Sequence, residues 1–147
     1  MGIERRRQLL TEAIAGLNAR DLDAYGRMFA EDVVVYTPGQ QEPSRGRAAR
    51  VQWLVGLLEA FPDGTAEVVG SLGDGDRPCA EFRFAGTHTG PLKGADGSVV
   101  APTNARVSFP YCIVYTYGED DLATEIHEYF DQVELLLPLG LLKPAGA

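Results

Sequence analysis

The sequence predicts an α+β fold, with N-terminal helices packed on one face of a strongly curved, mostly antiparallel sheet. Apolar residues have helical spacing before Pro62, whereas alternating and β-branched patterns dominate from Ala66 to Asp131. Turn-rich segments separate the later patterns, which is typical of consecutive hairpins. Helices followed by hairpins favour an α+β fold, because a parallel α/β sheet would need helices and strands to alternate.

Three helices are predicted from apolar spacing and one capping residue. The first helix has an apolar face formed by Leu10, Ala13, Ile14 and Leu17. Asp21 is a suitable N-cap for a short second helix. Residues 33–36 are β-branched or aromatic and predict a strand that ends at Pro38. The third helix has apolar residues along one side at Val51, Leu54, Val55 and Leu58.

Turn signals divide the second half of the chain into strands. Pro62-Asp63-Gly64 predicts a turn, and two strands are predicted at residues 66–71 and 79–86 around a segment rich in Gly and Asp. Residues 88–102 are rich in Gly and Pro and predict a loop. Two further strands are predicted at residues 104–117 and 122–131. We find no linker or repeat, and therefore expect residues 1–147 to form a single domain.

Composition excludes several classes of function. The net charge of −8 argues against a nucleic-acid partner, which would need clustered Lys and Arg. No secretory signal and no apolar stretch of membrane-spanning length is present, so we expect a cytoplasmic protein without a membrane partner. In that compartment Cys79 and Cys112 are expected to be reduced thiols. His88 and His127 are the only two histidines and lie far apart in the sequence, which argues against a metal site.

The last predicted strand carries polar side chains on one face and mostly apolar side chains on the other. Alternation places Glu125, His127, Tyr129 and Asp131 together on the polar face. The opposite face contains Leu122, Thr124, Ile126 and Phe130. The polar face can point to water, as in an ordinary half-buried strand, or toward an interior pocket. In the second case the apolar face would be covered by a partner subunit.

The C-terminal tail after Gln132 bears on this choice. It contains too many apolar side chains for a free terminus, at Val133, Leu135, Leu136, Leu137, Leu139, Leu141 and Leu142. The tail is therefore expected to pack on a cavity mouth next to Asp131 or on a second chain. A carboxylate under such a lid would be well placed for proton transfer.

Four segments resemble the SnoaL-like polyketide cyclases. They are YFDQVELLLPLGLL (129–142), FAGTHTGPL (84–92), APTNARVSF (101–109) and ARDLDAYGRMFAEDVVVYTPG (19–39). The family is similar in fold to nuclear transport factor 2 and ketosteroid isomerase. The resemblance therefore implies a cone-shaped α+β barrel that encloses a deep apolar cavity and usually forms a homodimer. The sequence departs from the family at Pro138, where the family often has Gln.

The resemblance also implies an activity. In the cyclases of this family, an Asp in the cavity acts as general acid and base in an intramolecular aldol closure without a cofactor. The matching position is Asp131, and His127 lies on the same predicted face. The resemblance thus favours the orientation in which this polar face points into the pocket. The resemblance thus implies a cofactor-independent cyclase or isomerase that acts on an apolar, polyketide-like small molecule. The penultimate strand has tyrosines where the cyclases tend to place a histidine, so the assisting group is open.

Seven residues are candidates for binding the substrate. They are Tyr36, Trp53, Phe84, His88, Tyr111, Tyr115 and Tyr129. For the aromatic residues the alternative is packing in the core. For His88 the alternative is a hydrogen bond to the backbone of its turn.

Two other functions share the expected fold. A ketosteroid-isomerase-like or epoxide-hydrolase-like enzyme is one, and the hydrolase would need a second acid and an arginine such as Arg83 or Arg106 near Asp131. A dimeric protein that only binds a small molecule is the other. We further expect the dimer to form through the outer sheet face at Ile126 and Phe130. The 88–102 loop and the Leu-rich tail are expected to flank the cavity mouth.

Overall fold

The computed structural model describes residues 2–73, 75–94, 96–143 and 145–146. Within these residues the helices are α1 (Ile3–Ala19), α2 (Leu22–Gly26), α3 (Arg47–Ala60) and α4 (Gln132–Leu136). Asp21 caps α2 as predicted, because its side chain accepts a hydrogen bond of 3.1 Å from the Ala24 amide. The turn from α1 to α2 is tight. A Cβ at Gly16 would lie 2.8 Å from the Asp21 carbonyl oxygen, so this position requires glycine.

The larger sheet has six strands. They are β1 (Phe29–Tyr36), β2 (Ser44–Arg45), β3 (Thr65–Leu72), β4 (Cys79–Thr87), β7 (Arg106–Tyr117) and β8 (Ala123–Phe130). Their order is β2-β1-β8-β7-β4-β3. All neighbouring strands are antiparallel except β1 and β8, which run parallel. Register shifts in β1, β3 and β7 mark irregularities, which bend and twist a sheet locally.

The helices bury the inner face of this sheet. Along β4, Ala80, Phe82 and Phe84 are buried, whereas the intervening Glu81 and Arg83 are exposed. The inner residues pack against α1 and α3, with Ala13 and Leu54 completely buried. A second buried cluster surrounds Phe61 and includes Leu139 of the C-terminal tail. The tail is therefore anchored to the body of the protein.

The predicted α+β class is confirmed, and two local predictions require correction. The first strand begins at Phe29, before the predicted residue 33. The pattern missed its first residues because the exposed Glu31 and Asp32 interrupt the apolar run. The segment predicted as a loop at 88–102 contains a small hairpin of β5 (Leu92–Lys93) and β6 (Val99–Val100). Among the described residues, no helix is long and apolar enough to cross a bilayer.

Candidate active site

The face of strand β8 that points to the interior is not the predicted one. Ile126 is completely buried, Glu128 is 5% exposed, and Phe130 lines the cavity described below. Tyr129, which was expected to face inward, is 55% exposed. The predicted orientation is wrong because Ile126 and Phe130 pack inside, and Glu128 shares their face through the two-residue period of a strand. Ile126 and Phe130 are therefore not available for the predicted dimer interface.

An apolar cavity of about 200 Å³ lies between the helices and the inner face of the sheet. Aromatic and aliphatic side chains form most of its wall. Of the residues that the structure describes, only Arg50 and Glu128 bring charged groups to that wall. Leu92 of β5 and Leu135 of α4 complete it. Both segments that were predicted to flank the cavity mouth, residues 88–102 and the Leu-rich tail, thus contribute a residue to the cavity wall.

The charged groups of the cavity form a connected hydrogen-bond network. Arg50 Nη2 donates to Glu128 Oε1, and Arg50 Nε donates to the Tyr25 hydroxyl oxygen at 2.8 Å. The second carboxylate oxygen of Glu128 accepts a 3.2 Å hydrogen bond from the Thr37 hydroxyl. The side chains of Arg50 and Glu128 are only 5% and 4% exposed. Such buried charges are tolerated only when they are paired and hydrogen-bonded, as they are here.

Helix α3 positions the arginine. Arg50, Trp53, Leu54 and Leu57 have the i, i+3, i+4, i+7 spacing of one helix face, and three of them line the cavity. The guanidinium carbon of Arg50 lies 4.2 Å from the centroid of the Trp53 ring. This cation–π contact and the bond to Tyr25 hold the guanidinium on the cavity wall. Arg50 Nη1 has no hydrogen-bond partner within the described part of the chain, and so can donate to a ligand.

The surroundings of the cavity shift several pKa values. Burial raises the pKa of Tyr25, Tyr111 and Tyr115, so these phenols stay neutral. Burial alone would lower the pKa of Arg50, but the Glu128 carboxylate and Tyr25 outweigh this and raise it. At neutral pH the cavity therefore presents a permanent cation next to neutral hydroxyl donors.

Four predicted substrate-binding residues do line the cavity. Trp53 comes from α3, Phe84 from β4, and Tyr111 and Tyr115 from β7. The Tyr111 ring also stacks on Phe82, with 4.8 Å between the ring centroids. These side chains contribute aromatic surface and, in the tyrosines, hydroxyl groups.

Four other predicted residues lie outside the cavity. Tyr36 is 39% exposed and stacks on His127, with ring centroids 4.4 Å apart. His127 Nε2 lies 3.2 Å from a Glu125 carboxylate oxygen, and neither His127 nor Tyr129 lines the cavity. Asp131 is exposed and caps α4, where its side chain accepts a 2.9 Å hydrogen bond from the Val133 amide. The predicted placement of Asp131 inside the cavity is wrong, because that side chain terminates a helix at the surface.

His88 is completely buried but does not line the cavity. Its Nδ1 lies 2.9 Å from the Thr103 hydroxyl oxygen and accepts a hydrogen bond from the Thr103 amide at 3.3 Å. Its backbone amide donates to the Ala105 carbonyl, and its carbonyl accepts from the Asn104 amide. These bonds join the residue after β4 to the segment just before β7, which agrees with the alternative of a backbone-bonded histidine.

The arginines considered for a hydrolase also lie elsewhere. Arg83 is exposed and donates to Ser108, and Arg106 forms a surface ion pair with Asp63. Among the described residues, no three His, Cys, Asp or Glu side chains cluster as metal ligands would. The sulfur atoms of Cys79 and Cys112 lie 2.7 Å apart as free thiols.

Sequence reasoning missed Tyr25, Arg50 and Glu128. A signal for two of them was present. Arg50 stands one helical turn before Leu54, and Glu128 stands two residues after Ile126, so both are charged residues on otherwise apolar faces. Since charged residues are rarely buried without a partner, two such positions in one chain indicate a buried ion pair.

Known proteins resemble the chain over nearly its whole length. The SnoaL-like polyketide cyclase family matches residues 6–139. AclR from Streptomyces galilaeus, a proposed hydroxylase, has 26% identity and a TM-score of 0.79, covering 98% of this chain and 86% of AclR. TsrD from Streptomyces laurentii has 19% identity and a TM-score of 0.80, covering 97% of this chain and 99% of TsrD.

IdmH from Streptomyces antibioticus, a proposed polyketide cyclase, has 22% identity and a TM-score of 0.72, covering 92% of this chain and 98% of IdmH. No curated protein sequence matches the chain. The structural likenesses establish the cone-shaped fold of nuclear transport factor 2, as predicted. Since the family match spans most of the sequence, the chain belongs to the SnoaL-like polyketide cyclase family.

Proposed function

We propose that this protein is a cofactor-independent cyclase or isomerase that transfers a proton at the carbon next to a carbonyl group. Its substrate is an apolar, polyketide-like small molecule. Glu128 acts as the general base, and Arg50 stabilises the negative charge that develops on the carbonyl oxygen. The observation that carries the proposal is the buried Arg50–Glu128 pair on the wall of an otherwise apolar cavity.

The chemistry needs no group from outside the chain. Glu128 takes a proton from the α carbon, and the electrons of the broken C–H bond form the enolate. Arg50 Nη1 donates to the enolate oxygen, and neutral Tyr111 or Tyr115 can donate to it as well. Fixed donors aimed at a developing charge in a water-poor site are effective in catalysis. A positioned base contributes roughly 10² to 10⁴ in rate.

The second step separates the two reactions. In a cyclase the enolate carbon attacks a second carbonyl of the same molecule, and Glu128 returns its proton to the new alkoxide. In an isomerase Glu128 returns the proton to a different carbon. Both reactions share the first proton transfer. The family membership and the name of IdmH favour the cyclase, whereas the name of AclR shows that proteins of this fold are not all described as cyclases.

The shared first step can be tested without the natural substrate. 2-Tetralone has α protons that both a carbonyl and an aromatic ring activate, and their exchange for deuterium in D₂O is visible by proton NMR. We expect the protein to accelerate this exchange, and Glu128→Gln to reduce the acceleration by about 10² or more. Asp131→Asn is the matched control, because it changes a carboxylate on the surface to an amide. Equal loss in the two variants, or none in Glu128→Gln, would rule out Glu128 as the base.

The same experiment separates the enzyme from a binding protein. A protein that only holds a ligand binds 2-tetralone without accelerating exchange. Circular dichroism of each variant is the control that tests whether the fold is retained.

A further inference from the structure

The size and charge of the cavity restrict the ligand to a narrower class than the family suggests. We propose that the ligand is a neutral ketone of one or two rings, bound with its carbonyl oxygen at Arg50. This inference rests on the proposed function only in treating the Arg50–Glu128 pair as the polar end of the site.

The volume of the cavity limits the size of the ligand. The cavity holds about 200 Å³. Ligand pockets for drug-sized molecules are usually about 300–1,000 Å³, and an apolar cavity of about 150 Å³ accepts benzene. The space therefore fits one ring with substituents or a compact pair of rings. A linear three- or four-ring polyketide would exceed this volume.

The charges on the cavity wall favour a neutral ligand. Arg50 and Glu128 cancel each other, and no other charged residue of the described chain lines the cavity. A carboxylate on the ligand would lose its hydration and find a cation already paired, so its burial would be unfavourable. A neutral ligand avoids that penalty.

The Arg50 guanidinium sets the orientation of the ligand. Tyr25 engages its Nε and Glu128 engages one N–H of Nη2, so the two N–H groups of Nη1 have no partner among the described residues. A ketone oxygen can accept a hydrogen bond from one of them. The rest of the ring then lies against the aromatic wall of Phe82, Phe84, Phe109 and Tyr111.

Binding can be measured by calorimetry with probes that separate these arguments. 2-Tetralone should bind at least about tenfold more tightly than tetralin, which has the same rings without the carbonyl, because a hydrogen bond to a charged group is lost. Acetophenone should bind more tightly than benzoate, its charged counterpart. Anthrone, which has three rings, should bind at least tenfold more weakly than 2-tetralone.

Enlarging the cavity tests the volume argument within one protein. Leu135→Ala removes part of the wall contributed by α4 and should raise the affinity for anthrone about tenfold. Leu136→Ala is the matched control, since Leu136 is also half-buried on α4 but does not line the cavity.

Three outcomes would overturn the inference. They are anthrone binding as tightly as 2-tetralone, benzoate binding as tightly as acetophenone, and 2-tetralone binding no better than tetralin or not at all at millimolar concentration. Because calorimetry does not depend on turnover, these outcomes are distinct from failure of the proposed reaction. A protein that binds 2-tetralone as expected but exchanges no protons retains this ligand class and loses the proposed chemistry.

Discussion

The buried ion pair of Arg50 and Glu128 should dominate the energetics of single substitutions in this protein. Both side chains are at least nine-tenths buried, and each has one further hydrogen bond, from Arg50 to Tyr25 and from Thr37 to Glu128. Replacing one partner leaves the other charge buried without compensation, which costs about 3–5 kcal/mol. We therefore expect Glu128→Leu or Arg50→Met alone to lower Tm by roughly 6–20 °C for a chain of this size.

The double variant Arg50→Met/Glu128→Leu should behave differently. It removes both charges and fills the space with apolar side chains, an exchange that is often neutral or stabilising. The hydroxyl groups of Tyr25 and Thr37 lose a partner, and each such loss costs about 1–3 kcal/mol if water does not replace it. We expect the double variant to lie within about 2 kcal/mol of the original protein. The coupling free energy of the pair is then several kcal/mol.

Urea denaturation of the four proteins at pH 7 measures this coupling. The exposed ion pair of Lys93 and Glu59 is the matched control, with side chains 66% and 50% exposed and 3.7 Å between the charged atoms. Its coupling should be about 1 kcal/mol or less. Additive effects at Arg50 and Glu128, or a coupling no larger than that of the control pair, would refute the account of the buried pair.

Three further outcomes follow from the structure. Tyrosine absorbance at alkaline pH should show late ionisation of four of the six tyrosines, since burial raises the pKa of Tyr25, Tyr111, Tyr115 and Tyr117, that of Tyr117 to about 12. These tyrosines have a higher pKa in the folded protein than in the unfolded chain, where the value is near 10. The free energy of unfolding should therefore fall as pH rises above about 10, and a constant value up to pH 12 would contradict this. Burial raises the pKa of Cys112 to about 11, so its alkylation at pH 8 should be roughly 100-fold slower than that of a free thiol. Equal rates would contradict the raised pKa. Gly90→Ala should strongly destabilise the protein because its Cβ would overlap the Glu59 carbonyl oxygen, whereas Gly56→Ala in α3 meets nothing and should stabilise it by up to about 1 kcal/mol in thermal melts.

The sequence was sufficient to predict the fold class, because local patterns determine it. The apolar face of α1, the Asp21 cap of α2 and the turns between the late strands are all decided by neighbouring residues. The aromatic wall was also partly predictable. Its predicted members are large side chains on a helix and strands whose patterns indicated packing around the core, namely Trp53, Phe84, Tyr111 and Tyr115.

The polar centre of the site could not be predicted in the same way. Arg50 and Glu128 are 78 residues apart and meet only because the fold brings α3 within side-chain reach of the inner face of β8. The period of two in β8 defines two faces but does not say which one is inside. Asp131 also has two local interpretations, since an Asp before Gln132 and Val133 is a good N-cap as well as a plausible base. The hydrogen bond to the Val133 amide shows that Asp131 serves as the cap.

The free-energy cost of burying the Arg50–Glu128 ion pair indicates that the pair has a role beyond packing. If the cavity only held an apolar ligand, an apolar pair at positions 50 and 128 would serve equally well and would avoid the desolvation of two charges. We therefore expect the Arg50→Met/Glu128→Leu protein to remain folded and to bind tetralin at least as tightly as the original protein does. It should at the same time lose both the preference for 2-tetralone and the accelerated proton exchange. Exchange that persists in this folded double variant would show that the proton is moved by another group, and Asp131→Asn in the same background would then test the surface carboxylate.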